Sequence, residues 1–216
     1  MKIKNAIIFG DSYSTFKGFI PEGYAPYYTP DLSSDIGDVN AVELTWWHRL
    51  SNELGFNIAR NDSWSGSTLA YASENENENT YIYAFHHRLN KLHDEGFFDK
   101  NEIDTVFIFG GTNDSWRDIP LGEIKFDSFT KEDLHCFCPS FAYMVKRLRE
   151  ILPTANIISL INTEMKPKVG ETIKAVSEHF GTHCIELRDI AKGCGHPLSE
   201  GMAAIAEQVK DYIKKN

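Results

Sequence analysis

The sequence predicts a three-layer α/β/α domain, a parallel sheet with helices on both faces, and three observations carry that reading. Short apolar runs recur, each ended by glycine or polar residues. Stretches with apolar residues three and four apart lie between them, the spacing of a helix that buries one face. The chain has 216 residues, of which 42% are hydrophobic and 25% charged, which suits one globular core and excludes wholesale disorder.

The elements follow in order. Ala6–Phe9 is the first strand and leads into Gly10-Asp11-Ser12. Residues 13–40 are long for a strand-to-helix connection, rich in Gly and Pro, and carry Phe16, Phe19, Tyr24, Tyr27 and Tyr28. Loops of that length in compact domains commonly bind or cover something. Trp47, Leu50 and Leu54 then mark a helix, and Phe56–Ala59 a weaker strand before Asn61-Asp62. Ser73–Thr80 is a polar, solvated loop tip. Thr105–Phe109 is a strand that leads into Gly110-Gly111-Thr112-Asn113-Asp114. Phe141, Val145, Leu148 and Leu152 mark a helix whose first turn accommodates Pro139. Strands at Asn156–Ile161 and His183–Leu187 follow, and Met202, Ile205, Val209 and Ile213 mark a terminal amphipathic helix. The runs mix Ile, Val and Phe without clean alternation, as strands buried on both faces do. No repeat or linker interrupts the series, so residues 1–216 read as a single domain.

Composition narrows the function. With 31 acidic against 22 basic side chains the net charge is −9, which argues against a general nucleic-acid binder. No segment has the roughly 18 uncharged residues of a membrane helix. The amino-terminal apolar run is too short for a signal peptide, so a cytoplasmic protein is the default expectation; a secreted domain trimmed of its leader gives the same sequence. Cys136, Cys138, Cys184 and Cys194 show no paired metal-ligand spacing and read as reduced thiols. His86-His87 point to different helix faces and make no metal pair.

In open parallel sheets ligands bind beyond the carboxyl ends of the strands, so the residues just after each run matter most. Those residues are Ser12, then Gly66 within Asn61–Gly66, then Asn113, with His196-Pro197 near the carboxyl terminus. Acyl transfer needs such a set. A serine hydroxyl becomes a nucleophile when a base such as His196 takes its proton. The Ser12 and Gly66 backbone N–H groups and the Asn113 amide can meet the negative charge that develops on a carbonyl oxygen.

These blocks resemble those of the SGNH hydrolases, the GDSL-like esterases. Gly10-Asp11-Ser12, Gly66, Gly111-Thr112-Asn113-Asp114 and His196-Pro197 stand in the family's order across most of the chain. The resemblance implies a flavodoxin-like sheet of about five parallel strands and a serine esterase working through an acyl-enzyme. It implies no cofactor or metal. The expected substrate is a small-molecule or carbohydrate ester, first of all an acetyl ester. A lipid esterase or thioesterase of the same family, or a non-catalytic binding module on the same fold, are the alternatives.

One block departs from the pattern. The family's D-x-x-H has Gly193 where the aspartate belongs. The Gly193 carbonyl, Asp189 and Glu200 are the three candidates for orienting His196. Asp11 and Asp114 are expected to hold loop amides. Trp64 and Trp116, each within three residues of a motif residue, are expected to flank the site with Tyr24, Tyr27 and Tyr28, which would suit a sugar ring or aryl group; the loop tyrosines serve equally to cover a sheet edge.

Overall fold

In the computed structural model, which describes residues 1–216, all five apolar runs become strands: β1 (Asn5–Gly10), β2 (Asn57–Ser63), β3 (Thr105–Phe109), β4 (Asn156–Ile161) and β5 (His183–Glu186). They lie in the order β2-β1-β3-β4-β5, and each neighbouring pair is parallel. The helices are α1 (Trp46–Leu54), α2 (Asn79–Ile82), α3 (Phe85–Asp94), α4 (Phe97–Lys100), α5 (Thr112–Trp116), α6 (Phe137–Ile151), α7 (Pro167–His179) and α8 (Ser199–Lys215). None is long and apolar enough to cross a membrane.

Successive strand residues point to opposite faces, and here both faces are covered. Ile8, Phe107 and Leu160 pack with Trp46 of α1 and with Met202 and Val209 of α8. On the other face Ile7, Phe9, Val106 and Ile108 pack with Leu89 of α3, Val145 of α6 and Val169 of α7. Full burial of each such side chain stabilises the fold by about 1.5–3 kcal/mol. The sequence does not mark α7 as strongly, although Pro167 in its first turn and Val169, Ile173 and Val176 on one face account for it.

β2 reads weakly in the sequence because it is an edge strand. Its first residues are exposed or half-buried, and only Asn61, Asp62 and Ser63 are buried. Those are polar residues, turned toward the carboxyl edge of the sheet. At that edge the chain passes from β1 outward to β2, then returns on the other side of β1 to β3, so the strand order reverses between β1 and β3. Ligands of open α/β sheets bind at such a reversal.

Two regions differ from the regular pattern. Residues 15–41 are irregular, as expected of the long loop, but Phe16 and Tyr28 sink into the core below it. Near the carboxyl terminus a small antiparallel hairpin forms from β6 (Lys192–Gly193) and β7 (His196–Pro197), with Gly193 opposite His196. Strands of two residues are too short to leave a pattern in the sequence.

Candidate active site

Ser12 follows β1 directly and opens a short 3-10 turn, Ser12–Ser14, capped by Asp11, whose carboxylate accepts the Tyr13 N–H at 3.0 Å. The turn is fixed from several sides. Trp46 and Trp47 of α1 donate their indole N–H groups to Ser14 Oγ at 3.1 Å and to the Ser14 carbonyl at 2.9 Å. The Asn61 amide reaches the same carbonyl at 2.8 Å. Thr15 Oγ1 donates to the Ser12 carbonyl at 3.0 Å and accepts the Tyr27 N–H at 2.8 Å, which ties the long loop to the serine.

His196 comes to Ser12 from the far end of the chain. Its Nε2 lies 2.9 Å from Ser12 Oγ, and its Nδ1 lies 3.1 Å from the Cys194 carbonyl. A carbonyl only accepts, so Nδ1 carries the proton and Nε2 of the neutral ring presents its lone pair to the hydroxyl. Burial, followed by the Lys192 charge, pushes the imidazole below its ordinary pKa, while the Cys194 carbonyl pulls the other way. The ring stays neutral at pH 7, as a base must.

Cys194 is not among the orienting groups expected from the sequence, and the reason is the turn. Cys194 and Gly195 connect β6 to β7 with φ +49° and +77°, the positive values at both central residues that a type I′ hairpin turn needs. That conformation aims the Cys194 carbonyl at the ring. Gly193, the cross-strand partner of His196, faces its backbone instead. Neither Asp189 nor Glu200 hydrogen-bonds His196; Asp189 sits in a left-handed turn of its own at φ +54°.

Aromatic rings complete the setting. Tyr27 stacks face to face on His196, with centroids 3.5 Å apart and planes 8° from parallel. Tyr13 meets the imidazole edge-on at 5.3 Å, and its hydroxyl donates to the Gly195 carbonyl at 2.5 Å. Trp116, 43% exposed, stands at 6.1 Å from the imidazole. Tyr24 stacks on Trp64 at 4.2 Å. Tyr28 corrects the sequence reading: it is 1% exposed, and its hydroxyl donates to the Pro197 carbonyl at 2.8 Å. It anchors the hairpin from below and cannot line a pocket.

The remaining blocks converge on the same edge. Gly66 adopts φ +80°, where a side chain is strained, and its N–H has no acceptor within the chain. Asn113, in the first turn of α5, donates one amide hydrogen to the Ser67 carbonyl at 2.9 Å, which fixes the plane of the amide and leaves the other hydrogen free. Asp114 holds this second block, as expected, by accepting the Leu69 and Ala70 N–H groups. Burial raises the Asp114 carboxyl to about 6 and the Asp11 carboxyl to about 7, against the pull of these amides. Arg88 of α3 lies beneath, 1% exposed, and donates to Asp62, to the Gly10 carbonyl at 3.3 Å and to Ser67 Oγ at 3.3 Å.

A family model described as GDSL-like lipase/acylhydrolase matches residues 4–213. The chain belongs to that family. Solved structures agree. A protein provisionally described as a GDSL-like lipase from Bacteroides ovatus ATCC 8483 is 35% identical, with each chain covered over 100% and a TM-score of 0.88. One from Bacteroides uniformis ATCC 8492, described in the same way, is also 35% identical, covering 99% of this chain and 97% of the other, with a TM-score of 0.88. A family two carbohydrate esterase from Clostridium thermocellum, in complex with cellohexaose, shares the fold at 17% identity and a TM-score of 0.65, covering 100% of this chain and 65% of the other. No curated protein sequence matches closely enough to serve as a relative.

Several residues of this GDSL-like site are not marked by the family blocks. Tyr13 adjoins the first block but is not part of it, and Cys194 orients through its backbone, which any residue could do. Arg88 does leave a trace. It falls among Phe85, Leu89 and Leu92, so the helix carries a cation on its apolar face. Such a residue is buried only with partners.

Proposed function

We propose that this chain is a serine esterase that hydrolyses short-acyl esters, an acetyl ester on a carbohydrate foremost, through an acyl-enzyme. The observation that carries the reading is the 2.9 Å approach of His196 Nε2 to Ser12 Oγ, with the ring's other nitrogen already committed to a carbonyl. Ser12 Oγ attacks the ester carbonyl carbon while Nε2 takes its proton. The developing oxyanion is met by the Ser12 and Gly66 N–H groups and the Asn113 amide, each worth about a hundred- to a thousandfold in rate. The tetrahedral intermediate collapses, and the imidazolium returns the proton to the departing alcohol. Water then attacks the acyl-enzyme, with Nε2 again the base, releasing the acid and the free serine.

Two features support the short acyl group and the sugar. Ser12 and Asn113 each keep less than a tenth of their surface exposed, so the reacting groups sit in a recess and not on an open apolar surface. Trp116, 43% exposed, offers a flat apolar face of the kind that sugar rings pack against. The fold is also used by a carbohydrate esterase.

A fluorophosphonate probe tests the nucleophile. Wild-type protein is expected to take one label and Ser12→Ala none. An unlabelled wild type, or equal labelling of the variant, means that Ser12 is not the nucleophile and favours a binding module. A series of p-nitrophenyl esters then reads the acyl length: kcat/KM is expected to fall beyond the shortest acyl groups. A rise with length would assign the protein to lipid or thioester substrates instead.

A further inference from the structure

Arg117, an exposed residue, caps the carboxyl end of α5, four residues after Asn113, and its guanidinium is held from one side. Nη1 donates to the Tyr83 hydroxyl at 2.5 Å, and the guanidinium carbon lies 5.9 Å from the centre of the Tyr83 ring. Tyr83 is itself buried and meets Trp64 edge-on at 6.1 Å, so the support does not move freely. Nη2 extends across Gly66: it stands 3.2 Å from the point where a Cβ on that glycine would be. The glycine that offers its N–H to the oxyanion therefore also makes room for a cation at the same rim.

That cation has no anionic partner. Among the basic residues near the sheet edge, Arg60 and Arg88 share Asp62, Lys166 pairs with Asp118 at 2.5 Å, and Lys192 pairs with Glu164 at 3.2 Å. Arg117 forms no salt bridge, and Nη2 donates no hydrogen bond within the chain. Asp114, whose carboxyl feels the Arg117 charge, is fully buried and spends its oxygens on the Leu69 and Ala70 amides. A guanidinium held at the rim of the site by a buried tyrosine, with Nη2 left free beside Gly66, is placed to meet an anionic group of a substrate.

The geometry points to Arg117 as a carboxylate-binding residue, so that the preferred ester carries a carboxylate a few bonds from the scissile carbonyl. This rests on the esterase reading above and deepens it. A planar guanidinium meets a carboxylate through charge-assisted N–H···O bonds of about 2.7–2.9 Å, with Nη2 as the donor left free. The carboxylate has two possible sources, the acyl group of a dicarboxylic half-ester or the alcohol side, such as an acetylated uronic acid. Because the guanidinium is exposed, its contribution belongs at the low end for a charged hydrogen bond, about tenfold in kcat/KM.

Two matched pairs of substrates test it in wild type and Arg117→Met: p-nitrophenyl hydrogen succinate against p-nitrophenyl butyrate, and an acetylated glucuronic acid against the same acetylated glucose. Wild type is expected to favour the charged member of at least one pair by about tenfold, mainly through KM, with the preference shrinking as salt is added. Arg117→Met is expected to erase that preference, and Arg117→Lys to keep part of it. The pair that responds locates the carboxylate on the acyl or the alcohol side. Equal loss on charged and neutral esters, or a wild type without preference, overturns the assignment while leaving the esterase intact. Failure of every ester, with no fluorophosphonate labelling, removes instead the reading on which the assignment rests.

Discussion

Around Ser12 the chain buries three carboxylates, Asp11, Asp62 and Asp114; around His196 it buries none. The acids near the serine hold chain: Asp11 the Tyr13 amide, Asp114 the amides after Gly66, Asp62 the guanidinium of Arg88. The histidine is held by neutral groups, a turn carbonyl on Nδ1, the Tyr27 face and the Tyr13 edge. Charge is thus invested where loops must be fixed against a sheet edge. The ring itself is oriented by a turn, which removes the need for an aspartate beside it. The two halves should therefore fail in different ways.

The largest effect is expected in the serine half, from Arg88→Met. Arg88 donates to Asp62 and to the Gly10 and Tyr83 carbonyls from a position 1% exposed. Breaking a buried ion pair typically costs 3–5 kcal/mol. Arg60 stays on Asp62 at 2.6 Å, so the lower figure of about 3 kcal/mol applies here. For a chain of this size that is a fall in Tm of roughly 6–12 °C. A calorimetric Tm within two degrees of wild type would show that Arg88 does not hold the strand ends.

The unpaired acid of the same half gives the next effect, and its sign is specific. Folding raises the Asp11 carboxyl to about 7, and its Oδ2 is buried without a partner. The folded chain keeps a proton that the unfolded chain, with a carboxyl near 4, has released. Stability from this group is then present below about pH 4 and lost as pH rises to about 7, since the unfolded state binds fewer protons across that window. Asn keeps an acceptor for the Tyr13 amide and does not titrate. Asp11→Asn is therefore expected to be a few degrees more stable than wild type at pH 8 and nearly equal to it at pH 4. Parallel Tm curves for the two proteins between those pH values would contradict the buried, raised carboxyl.

In the histidine half the expected damage is kinetic. Removing the ring in Tyr27→Leu is expected to lower kcat by about tenfold, the scale of an aromatic stacking and cation–π contribution of 1–1.5 kcal/mol to the imidazolium that the proposed mechanism forms. Tyr27→Phe restores the face and is expected to stay within about twofold of wild type. If Phe is as slow as Leu, the hydroxyl and not the stacked face is what the site uses.

The same contrast explains what the sequence discloses. Residues at strand ends, Ser12, Gly66 and Asn113, are legible because the apolar runs before them show where the sheet stops. β2 is the limiting case, its buried end being polar, yet Asn61–Gly66 still signals the block. The orienting group is not legible, because a carbonyl belongs to every residue and its direction depends on two positive φ values that Cys194-Gly195 only hints at. Tyr27 and Tyr28 look alike in sequence and their rings meet edge-on at 4.9 Å, yet one covers His196 while the other is sealed against Pro197, a difference set by the fold of the loop and not by residue type. Arg88 shows as a cation among the apolar residues of its helix, whereas Arg117 reads as an ordinary surface cation until the fold sets it over Gly66.

The smallest expected effect sharpens the comparison most. If the histidine half needs no acid, neutralising the acids nearest in sequence should do nothing to the rate. Asp189→Asn and Glu200→Gln are expected to keep kcat/KM within about twofold of wild type, because neither carboxylate reaches His196 while the Cys194 carbonyl lies 3.1 Å from Nδ1. Losing an aspartate that does orient a catalytic histidine costs about ten-thousandfold. The two outcomes are separated by more than three orders of magnitude, so a single pair of kinetic measurements decides between them. A loss of a hundredfold or more in either variant, with Tm unchanged, would place a carboxylate on the ring during turnover. The hairpin would then have to move to admit it, since Gly193 and His196 are paired across the ladder that sets the turn.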